Sequence, residues 1–109
     1  MTHRVQRDYL MARAAYQAAL AESNAAIAAE LDNAENGTFE YEYRVEAIRE
    51  RYQVHTRFGE LMAAQNALLA WARQQPNICS RPELLQMFDC RLPSIRGKLI
   101  ELCLTLAPA

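Results

Sequence analysis

The sequence predicts an all-α protein with a bundle-like fold: a long antiparallel helical hairpin followed by two short helices. Only 3 of the 109 residues are Gly and 4 are Pro, so few positions interrupt regular structure. Alanine, the strongest helix former, is abundant between residues 12 and 34. Apolar residues recur at spacings of three and four, which is the period of an amphipathic helix. We therefore expect one helical domain over residues 1–109, with the hairpin over 1–75 and a tail over 76–109.

The first predicted helix extends from about Thr2 to Leu31 and carries one apolar stripe, which Ser23 interrupts. Many alanines lie beside this stripe and would allow a second helix to approach closely. The segment DNAENG, residues 32–37, is a predicted turn because Asp, Asn and Gly favour turn conformations. Thr38 is then placed to cap the next helix.

The second predicted helix extends from about Phe39 to Gln75, and Pro76 ends it. Its apolar and aromatic positions alternate by four and three, a heptad-like spacing that runs as far as His55. A histidine on such a stripe is expected to be hydrogen-bonded inside the protein or at an interface. Two long helices joined by a short turn form an antiparallel hairpin.

The two long helices are expected to contact each other through eight apolar or aromatic positions. These are Tyr9, Tyr16, Leu20, Ile27, Leu31, Val45, Ile48 and Tyr52. Pairing about the turn also puts Leu31 near Phe39 and Tyr16 near Val54. Because two helices alone leave much of each stripe exposed, the tail, a second copy or another protein must cover the rest. We expect a homo-oligomer, since self-association into a four-helix arrangement provides this cover.

The tail is predicted to form two short helices. Ser80 and Glu83 have the spacing of a capping box, which would begin a helix that reaches about Phe88. Pro93 then opens a final helix that reaches about Leu106.

The segment ELLQMFDCRLPSIRGKLIEL, within residues 80–102, resembles the helix-turn-helix core of GntR-like bacterial regulators. Its apolar residues stand where that motif buries its own: Leu84, Phe88, Cys90, Ile95 and Leu99. The resemblance implies a recognition helix that enters the major groove of DNA. It also implies that the residues facing DNA are Arg91, Ser94, Arg96 and Lys98. The alternative is a helical pair that closes one end of the bundle.

The charge distribution gives DNA binding limited support. The formal net charge of −1 and the pI near 6.1 exclude a strongly basic nucleic-acid binder. Residues 73–109 nevertheless carry five basic residues against three acidic ones, whereas residues 1–72 carry seven against ten. The tail is therefore the more basic region.

No motif indicates an enzyme, a cofactor or a metal. The chain has no Gly-rich phosphate loop, HExxH sequence or nucleophile elbow. Glu42, Glu46 and Glu50 form an acidic line that could bind a metal or mimic a polyanion, but a solvated helix face is the favoured interpretation. The other potential ligands, His3 and His55, lie far apart in the sequence.

The protein is expected in the cytoplasm. Three cysteines without a CxxC pattern indicate reduced thiols, and no uncharged apolar run is long enough to span a membrane. Two functions follow from the sequence. The first is a non-enzymatic interaction protein (an adaptor, a chaperone-like binder or a regulatory inhibitor) that works through helix–helix contacts with a protein partner. The alternative is a dimeric helix-turn-helix regulator that binds DNA.

Overall fold

The structure, a computed structural model, describes residues 2–32 and 37–107, and all regular secondary structure in these ranges is helical. The prediction of an all-α fold is therefore confirmed. The helices are α1 (Arg4–Glu30), α2 (Phe39–Arg51), α3 (Val54–Arg73), α4 (Pro76–Cys79), α5 (Pro82–Asp89) and α6 (Pro93–Thr105). No helix in the described ranges combines the length and the hydropathy needed to cross a bilayer.

The described residues divide into two compact units. The hairpin unit comprises residues 12–61, and the terminal unit comprises residues 1–11 and 62–109. Helix α1 contributes its first two turns to the terminal unit and the remainder to the hairpin unit. Helix α3 is divided in the same way, its first eight residues belonging to the hairpin unit.

The hairpin unit contains the predicted antiparallel pairing. Arg51 donates a hydrogen bond of 2.8 Å to Glu30, so the C-terminal end of α2 lies beside the C-terminal end of α1. Further along, the ring centroids of Tyr16 and Phe58 are 5.6 Å apart. Successive contacts thus join earlier residues of α1 to later residues of α2 and α3, as an antiparallel hairpin requires. The core at the turn end consists of Leu31, Val45 and Ile48, with Ala26, Ile27, Tyr41 and Tyr52 packed around it.

Two expectations at the start of α2 have different outcomes. Thr38 caps the helix as predicted, because its Oγ1 accepts a hydrogen bond of 3.1 Å from the Tyr41 backbone N–H. The expected packing of Phe39 beside Leu31 is wrong, since Phe39 is 87% exposed. The buried positions of α2 are Val45 and Ile48, which lie on the opposite side of the helix. The DNAENG turn lies at residues 32–37, of which 33–36 are outside the described residues.

The predicted single helix from Phe39 to Gln75 is wrong in one respect: it breaks at Tyr52 and Gln53. Gln53 has φ of 59°, and its backbone N–H bonds to the Glu50 carbonyl at 3.0 Å, which ends α2. The break changes the helical phase, so Val54 takes the next buried position and is 5% exposed. His55 consequently points to solvent, with its side chain 68% exposed, so the expectation of an interior position is wrong. Its ring is hydrogen-bonded, to Glu46 at 3.0 Å.

The terminal unit has a tightly closed core. Five of its side chains are wholly buried: Leu68, Ala72, Ile78, Leu99 and Cys103. Burial raises the pKa of the Cys103 thiol to about 11, because the thiolate would lose its hydration. The final helix, α6, contributes three buried residues to the terminal unit: Leu99, Ile100 and Cys103.

Gln6 joins the two ends of the chain inside the terminal unit. Its side chain is 1% exposed, and Nε2 donates 2.9 Å hydrogen bonds to the backbone carbonyls of Cys103 and Leu106. Its Oε1 accepts from the His3 backbone N–H at 2.8 Å. His3 in turn stacks on Trp71, with the ring centroids 4.6 Å apart. These contacts satisfy carbonyls that the end of α6 would otherwise leave without partners.

The predicted capping box before α5 is wrong. The Ser80 hydroxyl donates backward to the Pro76 carbonyl at 2.6 Å and closes α4, a single turn that the sequence analysis does not predict. Arg81 is the N-cap of α5 and makes no side-chain capping bond. Pro82 and Pro93 stand in the first turns of α5 and α6, where their missing N–H groups cost nothing.

Candidate functional site

The four residues that the helix-turn-helix resemblance assigns to DNA lie in the terminal unit: Arg91 precedes α6, and Ser94, Arg96 and Lys98 lie on two sides of α6. Arg91, Ser94 and Lys98 are exposed, whereas Arg96 is half-buried. Each residue of an α-helix turns about 100° around the axis, so side chains two residues apart point in nearly opposite directions. Arg96 therefore projects away from both Ser94 and Lys98. The structure therefore brings Ser94 and Lys98 onto one face of the helix and leaves Arg96 off it.

The connection between α5 and α6 is the turn of the proposed motif. Its flanking residues Cys90 and Leu92 have extended backbones, with ψ of 131° and 129°. Among the described non-glycine residues only Gln53 has a positive φ, so Asp89 does not adopt the left-handed conformation that a glycine gives such a turn. Arg73 lies 3.9 Å from the Asp89 carboxylate and holds this turn against α3.

The apolar residues of the motif face inward. Phe88 and Leu99 are buried, and Leu84, Cys90 and Ile95 are half-buried. Arg73 also covers the Phe88 ring at 5.9 Å from its centroid. This packing satisfies both interpretations of the tail, because a recognition helix and a closing helix bury the same positions.

A groove of about 380 Å³ lies in the terminal unit, between α4, α5 and the end of α6. Its lining is Asn77, Ile78, Ser80, Arg81, Leu84, Leu102 and Leu106. Arg81 is the one charged residue of this lining. No group of three or more potential metal ligands occurs among the described residues.

A second exposed surface, on the hairpin unit, combines aromatic and acidic side chains. We define the outer face of α2 as Phe39, Glu42, Tyr43, Glu46 and Glu50, all of which are exposed. At 3.6 residues per turn these five positions fall within an arc of about 100°, opposite the buried Val45 and Ile48. Phe39 is 87% exposed and Tyr43 is 68% exposed. Together they leave two aromatic rings, one helical turn apart, in contact with water.

The carboxylates of the outer face differ in their partners. Glu46 accepts a hydrogen bond from Arg49 at 3.4 Å, and its Oε2 lies 3.0 Å from Nε2 of His55. The hydrogen bond with His55 lowers the pKa of the Glu46 carboxyl, and Arg49 adds to this shift. Within residues 2–32 and 37–107, Glu42 and Glu50 have no ion-pair partner. Two negative charges of the outer face thus remain uncompensated: Glu42 lies beside the rings, and Glu50 lies about two turns beyond Tyr43.

The acidic line of this surface is predicted from the sequence, but its aromatic half is not. The expected pairing places Phe39 against Leu31, and no role is expected for Tyr43. The available signal is the helical phase: both residues fall outside the stripe formed by Tyr41, Val45 and Ile48. The eight positions expected to contact other helices are all buried or half-buried.

Comparison of the chain with known protein families, curated proteins and solved structures finds no match.

Proposed function

We propose that this chain is a non-enzymatic interaction protein, an adaptor, chaperone-like binder or regulatory inhibitor that docks a partner on the outer face of α2. The observation that carries the proposal is the pair Phe39 and Tyr43, 87% and 68% exposed on one side of one helix. Aromatic side chains bury 150–250 Å² when covered and dominate the energetics of protein interfaces. The protein works in the reducing cytoplasm, in keeping with its free cysteines.

The face suits contact with a helix. It is narrow, and the distance from Phe39 to Glu50 corresponds to about 17 Å along the axis. Helices pack with their axes 8–10 Å apart, by inserting ridges of side chains into grooves. Two rings separated by four residues form such a ridge. The partner is a second copy in a homo-oligomer or another protein.

Site-directed photo-crosslinking in the cells that make the protein tests this function. The photoreactive residue p-benzoylphenylalanine replaces Tyr43 in one variant and Thr56, an exposed polar residue of the same unit, in the control. We expect discrete crosslinked species from position 43 and none from position 56, and the added Phe39→Ser substitution should remove them. Equal crosslinking from both positions would contradict the proposal.

The alternative function is DNA binding by a dimeric helix-turn-helix regulator, and one observation favours it. Arg91, Ser94 and Lys98 are exposed around the start of α6, with no role in the core of the terminal unit. A mobility-shift assay over a salt series separates the two functions. Phosphate contacts make affinity fall steeply with salt, and Arg91→Ala combined with Lys98→Ala should flatten that slope, whereas Arg7→Ala should not. Absence of binding at low salt excludes this function.

A further inference from the structure

We infer that the partner of the outer face of α2 is a basic amphipathic helix, with aliphatic residues facing Phe39 and Tyr43 and with Lys or Arg beside them. This inference rests on the proposed function and specifies its partner. Three observations support it: the exposed aromatic pair, the uncompensated carboxylates and the order in which these groups follow one another along α2.

The aromatic pair determines where the partner helix needs apolar side chains. Phe39 and Tyr43 are one helical turn apart, so a partner helix meets them with apolar side chains at a matching spacing of three or four residues. Aliphatic side chains at these positions would exclude water from both rings. The Tyr43 hydroxyl stays at the edge of such a contact and keeps its hydrogen bonds to water.

The carboxylates set the charge of the partner. Glu42 and Glu50 are exposed without an ion-pair partner in the described part of the chain, and Glu46 lies between them on the same face. Of the three arginines of α2, Arg49 bonds to Glu46 and Arg51 bonds to Glu30, and Arg44 lies outside the arc of the outer face. An acidic partner would meet uncompensated repulsion here, whereas cations of a basic partner would be attracted at long range and fixed in register at contact.

The order of the groups sets a direction. The rings and Glu42 stand in the first two turns of α2, and Glu46 and Glu50 stand in the later turns. A partner helix therefore needs its apolar anchors at one end of the contact, with one cation beside them and further cations toward the other end. This asymmetry separates a helical ligand from a uniformly basic polymer, which would not need the rings.

Fluorescence anisotropy with a designed, labelled Leu/Lys amphipathic peptide tests the inference on the full chain. The matched negative probe has the same Leu positions and carries Glu in place of Lys. We expect the basic peptide to bind and the acidic peptide not to bind. Phe39→Ser combined with Tyr43→Ser should weaken binding at least about tenfold, as for the loss of interface hot spots. Because both side chains are exposed, circular dichroism should show an unchanged fold.

A second pair of variants isolates the charge. Glu42→Gln combined with Glu50→Gln should weaken binding about threefold to tenfold at low salt and remove most of its salt dependence. Glu22→Gln combined with Glu83→Gln, a charge-matched control at exposed positions elsewhere, should leave the affinity unchanged.

Three outcomes overturn the inference: no binding of the basic peptide, binding that survives loss of the rings, or equal binding of the acidic peptide. A fourth such outcome would come from sedimentation velocity. It would show that a second copy of the chain occupies the outer face and that the basic peptide does not displace it. Each of these leaves the proposed function standing if position 43 still crosslinks to a partner. Absence of both crosslinks and peptide binding contradicts the function as well.

Discussion

The two units of the molecule bury their side chains to different degrees. The terminal unit contains five apolar side chains with no exposed surface: Leu68, Ala72, Ile78, Leu99 and Cys103. In the described part of the hairpin unit, Ser23 alone reaches that degree of burial, and the core residues Leu31, Val45 and Ile48 keep 3–5% exposure. The large exposed aromatic residues, Phe39, Tyr43 and Phe58, all belong to the hairpin unit. The terminal unit therefore has the more fully closed core, and its large exposed apolar residues, Leu10, Met11 and Leu92, are aliphatic, whereas those of the hairpin unit are aromatic.

The connectivity explains the difference. The terminal unit draws on both ends of the chain and contains five short or partial helical segments, which surround a common core. The hairpin unit has one layer of helix against another, so each helix keeps one side in water. Phe39 and Tyr43 lie on the free side of α2 and are exposed there.

The largest predicted effect comes from opening a cavity in the terminal unit. Leu99→Ala removes a side chain with no exposure and should lower the free energy of unfolding by about 2–5 kcal/mol. Leu92→Ala is the matched control, because Leu92 is 62% exposed, and it should stay within about 0.5 kcal/mol of the wild type. Urea titration followed by circular dichroism measures both. Equal losses would contradict the assignment of the core to this unit.

A smaller effect is expected from Gln6, which holds the C-terminal end of α6. Gln6→Ala leaves the carbonyls of Cys103 and Leu106 without their 2.9 Å hydrogen bonds and should cost about 1–3 kcal/mol. Alkylation of the buried Cys103 should become faster, because local opening exposes a thiol that is otherwise protected. Gln17→Ala, an exposed position on the same helix, should change neither quantity. Unchanged protection of Cys103 in Gln6→Ala would show that the bonds are dispensable.

The sequence predicts most of the fold because the helical period and the residues that begin or end helices are local signals. The hairpin follows from the stripe through Val45 and Ile48 and from the Thr38 cap, and both are found. The helix expected to reach Gln75 ends at Arg73, and Pro76 opens α4. Gln6 illustrates what local signals miss. Nothing in its neighbourhood distinguishes it from an exposed Gln, and its role depends on carbonyls almost one hundred residues away.

The candidate site was half predictable for the same reason. Glu42, Glu46 and Glu50 stand out by spacing alone, and the spacing correctly places them on one exposed helix face. The exposure of Phe39 is not evident from the sequence alone, because an aromatic residue beside a turn can also pack against the other helix of the hairpin. It follows from the position of the buried face, which the structure fixes through Val45 and Ile48.

The break between α2 and α3 was invisible in the sequence and gives the third prediction. Gln53 has φ of 59°, a left-handed conformation that costs a residue with a side chain about 1 kcal/mol or more and costs glycine little. Gln53→Gly should therefore raise the free energy of unfolding by about 1 kcal/mol. Gln17→Gly, within α1, should lower it by about 0.5–1 kcal/mol. If both substitutions destabilise, the break is not formed in solution.

The smallest effect concerns the pair that spans this break, Glu46 and His55. The hydrogen bond with His55 lowers the pKa of the Glu46 carboxyl, so any stabilisation from the pair is present above the usual pKa of Glu and is lost as the pH falls through the lowered value. Both side chains are more than half exposed, so solvent screens the interaction and the change in unfolding free energy should be small. The sharper measurement is an NMR titration of the Glu46 side-chain carboxyl carbon.

In that titration, His55→Ala should move the pKa of Glu46 upward toward its usual value, and Arg49→Ala should move it less, because the Arg49 bond is the longer one at 3.4 Å. His3→Ala, which changes the histidine of the terminal unit, should leave it unchanged. An unmoved pKa in His55→Ala would mean that α2 and α3 do not hold these two side chains 3.0 Å apart. A carboxylate held by His55 is less available to a partner. If the pair does not form, Glu46 is free, and binding of the basic peptide should depend on Glu46 as much as on Glu42 and Glu50.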